Sequence, residues 1–85
     1  MELIETAELM KSADYKERFK AEYYQTDIRI RKLETFLKRY RANELDFTPD
    51  CSTLLLQTQL DVMKAYRGIL TRRAEIENVD ISYKE

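Results

Sequence analysis

Histidine and tryptophan are absent from this 85-residue chain, and glycine, proline and cysteine occur once each. Without histidine, the commonest general base and metal ligand is missing. No glycine-rich loop exists to cradle a phosphate through backbone amides, and the carboxylates are scattered rather than clustered. The chain is therefore expected not to be an enzyme and to need no cofactor or metal. One glycine and one proline argue against a turn-rich β fold and for long helices. The lone Cys51 has no partner for an internal disulfide, so a reducing compartment is the default. No run approaches about 18 apolar residues, so no membrane span is expected. The opening MELIETAELM carries three glutamates and no basic residue, unlike a secretory signal. A soluble cytosolic protein is the resulting expectation.

Hydrophobic residues make up 44 % and charged residues 36 %, a balance that supports a folded chain rather than a disordered one. The length allows a single domain, residues 1–85, and a chain this short buries only about 60 % of its unfolded surface alone. Residues 1–12 read as a short amphipathic helix, with Leu3, Ala7 and Met10 at helical spacing and Ile4 beside them. So short a helix must dock on something to persist. Asp14 is a candidate N-cap, and Glu17 completes a capping-box pattern. A first long helix is predicted over 14–43. Its seam is Phe19, Tyr23, Thr26, Ile30, Leu33, Leu37 and Tyr40, at alternating steps of four and three. Ile28 and Phe36 lie off that seam, making the apolar surface wider than one partner helix needs.

Thr48 as N-cap with Pro49 at the first helical position predicts a second long helix over 48–77. It bears two adjacent apolar rows: Leu55, Val62, Ile69 and Ile76, beside Leu56, Leu60, Met63, Leu70 and Ala74. The first helix, antiparallel across a short loop, covers one row. Apart from the small N-terminal helix, the chain has nothing for the other. The predicted fold is thus all-α, a short N-terminal helix plus a long antiparallel two-helix hairpin, assembled as a homo-oligomer. The tail, residues 78–85, alternates Val79, Ile81 and Tyr83 and reads as an extended arm.

Charge is unevenly placed. The net charge is −1, yet residues 27–41 hold six positive side chains against two negative ones. Arg29, Lys32 and Arg39 fall near one face with Phe36 among them, the combination that suits a ligand of phosphates and bases. Alternatively, these cations flank the seam and pair with Glu34 or with acids on the next helix; composition alone favours this second reading. Tyr15, in the first turn, has no seam role and sits where unpaired backbone amides welcome an anion, or else packs under the N-terminal helix. Arg67 interrupts an apolar row and needs a carboxylate or a ligand. The Arg72-Arg73 pair is open in the same way. An isoelectric point near 5.6 disfavours a general DNA or RNA binder, but a small anion in a local basic pocket fits an acidic protein.

The run YKERFKAEYYQTDIRIRKLETFL, followed by LDFTPDCSTLLLQTQLDVMKAYRGILTRRAEIENVDI, resembles small proteins of crAss-like phages. Through them it resembles the viral anti-CBASS sponge family. The shared pattern is Tyr15, Arg18 and Glu22, then Ile30, Lys32, Leu33, Phe36 and Leu37, then Leu56, Gln59, Leu60, Met63, Tyr66, Ile69, Leu70 and Arg73. The resemblance implies an all-helical homohexamer in the host cytoplasm. It would hold cyclic di- and trinucleotide immune signals between protomers without cleaving them. It also implies that Tyr15 and Lys32 grip cyclic dinucleotides, with Arg29 as an alternative to Lys32, and that Arg73 serves the larger cyclic ligands. The competing expectation is a structural or protein-binding helical oligomer without a small-molecule ligand.

Overall fold

A computed structural model describes residues 1–82. All regular structure among them is helical. A 3₁₀ turn, Leu3–Thr6, runs into the short helix α1, Ala7–Lys11; then come α2, Tyr15–Arg41, and α3, Thr53–Glu77. The molecule is an elongated hairpin of 43 × 23 × 21 Å. Residues 83–85, the end of the expected arm with Tyr83, lie outside the described residues.

Asp14 starts α2 as expected, its carboxylate accepting from the Lys16 backbone N–H at 3.0 Å. The capping box does not form: the Asp14 N–H donates to the Ser12 hydroxyl rather than to Glu17, and the Glu17 N–H goes to the Asp14 backbone carbonyl. The helix ends on Asn43 in the left-handed region, φ 58°. There the Glu44 N–H reaches the Arg39 carbonyl and the Asn43 N–H reaches that of Tyr40, a paired closure that satisfies two end carbonyls. Helix α3 ends alike on Asn78, φ 60°, with the Val79 N–H on the Ala74 carbonyl at 2.8 Å. Asparagine fills the role glycine usually takes, consistent with a chain so poor in glycine.

The start of α3 corrects the expectation of residue 48. Ser52 caps it, its hydroxyl accepting from the Leu55 N–H. Thr48 and Pro49 stay in the loop, where the Tyr40 phenol donates to the Cys51 carbonyl at 3.2 Å and Phe47 packs on Phe36. Those contacts hold residues 47–51 out of the helix. The N-terminal segment is corrected too. The tighter 3₁₀ turn shifts its phase, so Ile4 and Met10 face solvent while Thr6 is buried. The Thr6 hydroxyl donates to the Leu3 carbonyl and accepts from Gln25 at 2.8 Å.

Between α2 and α3 lie two apolar clusters. One, toward the loop, is Ile30, Leu37 and Leu60 with Leu33, Leu56 and Met63 against it. The other, at the open end, is Phe19, Leu70, Ala74 and Val79, with Tyr23 and Ile81 packed on it. An ion pair separates them: Arg67 Nη1 meets Asp27 Oδ1 at 2.8 Å, and Arg31 meets the other carboxylate oxygen at 3.1 Å. Arg67 thus takes the carboxylate its apolar row demanded. A second buried row of α2, Ala21, Tyr24 and Ile28, accounts for the width noted in the sequence. The described part of the tail folds back rather than reaching out: Val79 is buried and the Ser82 carbonyl accepts from the Tyr24 phenol. Among the described residues Tyr24 is a buried tyrosine, whereas Tyr23 and Tyr40 on the seam are only half-buried.

Candidate functional site

Antiparallel packing brings the first turn of α2 against the last turn of α3. Tyr15 and Arg73, 58 residues apart, meet there, with Arg73 Nη2 donating to the phenol oxygen at 2.5 Å. A third residue joins them. Glu77 accepts from the Tyr15 hydroxyl through Oε1 at 2.8 Å and from Arg73 Nε through Oε2 at 2.9 Å. The guanidinium lies 4.9 Å above the Phe19 ring, a cation–π contact. Tyr15 tilts over the same ring, 6.3 Å between centroids, and does not pack under the N-terminal helix. Lys16 adds a cation nearby, its Nζ on the Asn78 carbonyl at 3.1 Å.

The electrostatics follow from these bonds. The Arg73 guanidinium, helped by the Tyr15 hydroxyl, holds the Glu77 carboxyl below its ordinary range. The bond to Glu77 pushes the Tyr15 phenol up, with partial burial adding to it, and also raises Arg73. The cluster is thus a neutral phenol and a guanidinium gripping an ionised carboxylate at an exposed helix junction.

Arg29 and Lys32 stand elsewhere. At 1.5 Å per residue they lie about 21 and 25 Å along α2 from Tyr15, too far to share one small ligand within a protomer. Arg29 does occupy the face of Tyr15, which continues through Glu22 and Arg29 to Phe36 at seven-residue steps. It is exposed and makes no ion pair or hydrogen bond with a described residue. Lys32 lies on the flank toward the N-terminal segment, lining an open hollow of about 310 Å³ with Met1, Glu2, Ile28, Arg31 and Thr35. It too has no polar partner among the described residues. Phe36, a candidate stacking surface in the sequence, is instead engaged with Tyr40 and Phe47. Between α2 and α3 near the loop, Lys38, Arg41 and Lys64 line a wider groove of about 730 Å³. Lys64 pairs there with Glu34 and Arg41 with Gln57.

The residue that sequence reasoning missed is Glu77. Its signal was present: Arg73 and Glu77 are four apart on one helix, and a hairpin must set the end of α3 beside Tyr15.

Beside this cluster runs bare apolar surface. Leu55, Val62, Ile69 and Ile76 are 58, 65, 57 and 70 % exposed, the row that the sequence leaves uncovered. Arg73 falls in line with it, four residues after Ile69 and three before Ile76. The cation and the apolar row therefore share one face.

Residues 13–76, three quarters of the chain, match the family model Sequestin. No curated protein and no solved structure matches. By that match the chain belongs to the Sequestin family, the anti-CBASS cyclic-nucleotide sponges that its sequence resembles.

Proposed function

We propose that this protein binds and sequesters cyclic di- and trinucleotide immune signals without cleaving them, in pockets between protomers of a homo-oligomer, and so blocks CBASS-type defence in the host cytoplasm. The observation that carries the reading is the shared face of α3. The partner that covers Leu55, Val62 and Ile69 also closes over Tyr15 and Arg73, turning an open cluster into a pocket. The need for a partner has a second support. The accessible surface is 6149 Å², whereas a compact monomer of 10.2 kDa exposes about 5,300 Å². A hexamer is the assembly the family resemblance favours. In such an assembly Arg29 or Lys32 of a neighbouring copy adds a further cation to the one that Arg73 already sets beside Tyr15. Charge-assisted bonds to two or three phosphates then provide the tight binding a sponge requires.

Incubation with cyclic di- and trinucleotides, followed by digestion of the protein and analysis of what is released, tests this directly. Intact ligand is expected; no binding at micromolar concentration overturns the proposal. The competing reading, a structural helical oligomer without ligand, is favoured by one observation: Tyr15 and Arg73 already satisfy each other through Glu77. Lys32→Ala separates the two. Because Lys32 has no partner among the described residues, the thermal midpoint is expected to stay put while ligand affinity falls at least about tenfold, the loss of one charge-assisted bond. A lowered midpoint with unchanged ligand binding supports the structural reading.

A further inference from the structure

Glu77 is oddly placed for a structural residue. It sits at the carboxyl end of α3, where the helix dipole disfavours negative charge. The helix end does not need it, since Asn78 supplies the left-handed closure and the Val79 N–H satisfies the Ala74 carbonyl. Its side chain is 30 % exposed, so it fills no hole in the core. Yet both its oxygens are engaged, one by the Tyr15 hydroxyl and the other by Arg73 Nε.

That grip has a second meaning. Two anionic oxygens held by a guanidinium edge and a phenol are what a phosphodiester presents to the same donors. The supporting features suit such a ligand as well: the guanidinium is fixed over Phe19 and Lys16 stands one helical position from Tyr15.

We infer that Glu77 is an internal competitor for the ligand, a carboxylate that occupies the phosphate seat of Tyr15 and Arg73 in the empty protein and swings out when a phosphodiester enters. This rests on the cyclic-oligonucleotide reading above and adds a specificity element to it. An occupied seat lowers the apparent affinity of every anion by the fraction of time it is open. A ligand that binds through two or three phosphates at once tolerates that loss and stays bound. Abundant weak anions with one phosphate, such as free phosphate or a mononucleotide, fall below the affinity at which they would fill the site.

The test uses the full chain, with cyclic tri-AMP, cyclic di-AMP and AMP as probes in calorimetric titration of the wild type and of Glu77→Gln. Glutamine keeps the shape and removes the charge. Circular dichroism and native mass confirm that the variant is folded and assembled. Affinity for the cyclic probe that the wild type prefers is expected to rise about tenfold in Glu77→Gln, as one competing charge-assisted contact is weakened. AMP binding is expected to strengthen with it. Unchanged or weakened binding in the variant overturns the competitor role and makes Glu77 a brace for Arg73, while wild-type binding leaves the sponge reading intact. If neither protein binds any cyclic probe, both readings fall. A wild-type measurement stands beside these in case the variant does not fold. The Glu77 carboxyl ¹³C resonance is expected to shift on saturation with the preferred probe; a resonance that stays in place overturns the displacement.

Discussion

Tyr15, Arg73 and Glu77 show how three side chains of modest exposure acquire a defined charge state from one another. The Glu77 carboxyl is held below its ordinary value of 4.5, so its folded value lies under its unfolded one. The stability it contributes is therefore present above about pH 4.5 and is lost as pH falls through the depressed folded value. Asp80, lowered by its bonds to Ser82, acts in the same direction. The Tyr15 phenol shifts oppositely, above its ordinary 10.0; its contribution is complete below pH 10 and disappears as pH rises through the folded value. Chemical denaturation across pH 3–6 is expected to show a smaller acid-side loss for Glu77→Gln than for the wild type, with the Asp80 share remaining in both. Equal slopes would mean that the carboxylate is not engaged in solution. At this scale the sequence was partly legible. Tyr15 stood out for having no seam role and Arg73 for its pairing with Arg72, but their meeting depended on how two distant helix ends align. Glu77 was hidden because an i,i+4 pair on an exposed helix is ordinary.

At the level of elements, the seam of α2 read well because alternating steps of four and three can satisfy only a helix packed on a helix. Ile30, Leu37 and Leu70 are at most 1 % exposed. Leu70→Ala, in the cluster under the candidate site, is expected to destabilise by about 2–5 kcal/mol. Urea unfolding measures it, and a cost under 1 kcal/mol would mean that the cluster is not a packed core. What the sequence could not resolve was competition between equivalent local signals. Thr48-Pro49 and Ser52 are both sound helix starts, and tertiary contacts by Tyr40 and Phe47 decided between them. Nor did periodicity reveal that the opening turn would be 3₁₀, because a tighter winding moves Ile4 and Met10 outward without changing a residue. The polar break between the two clusters was half visible: Arg67 announced that it needed a partner, and Asp27, the residue after Thr26 of the seam, was not identified as that partner.

For the whole molecule, the governing fact is a hairpin with one apolar row of α3 in water. Burying such a row is worth about 25 cal/mol per Å², which favours closed assemblies of identical chains. Ile69→Glu, at the middle of the row and 57 % exposed, is expected to leave helicity intact and to lower the assembled mass seen in sedimentation. An unchanged mass would mean that the row is not a contact. Because Arg73 lies on that face, the same substitution is expected to weaken ligand binding, and the new carboxylate, four residues before Arg73, adds to the loss. The uncovered row was legible from two adjacent heptad rows and one available partner helix.

The meeting of Tyr15 and Arg73 also sets how the molecule tolerates insertions. The loop of residues 42–52 is mostly solvent-facing, so one extra alanine beside Asp46 leaves both helix ends where they were. The same alanine beside Lys64 rotates everything after it by about 100°, carrying Arg73 and Glu77 away from Tyr15 while adding no charge and removing none. Length is thus free to drift in the loop and frozen in the helices, and an insertion series read by ligand retention would trace that boundary.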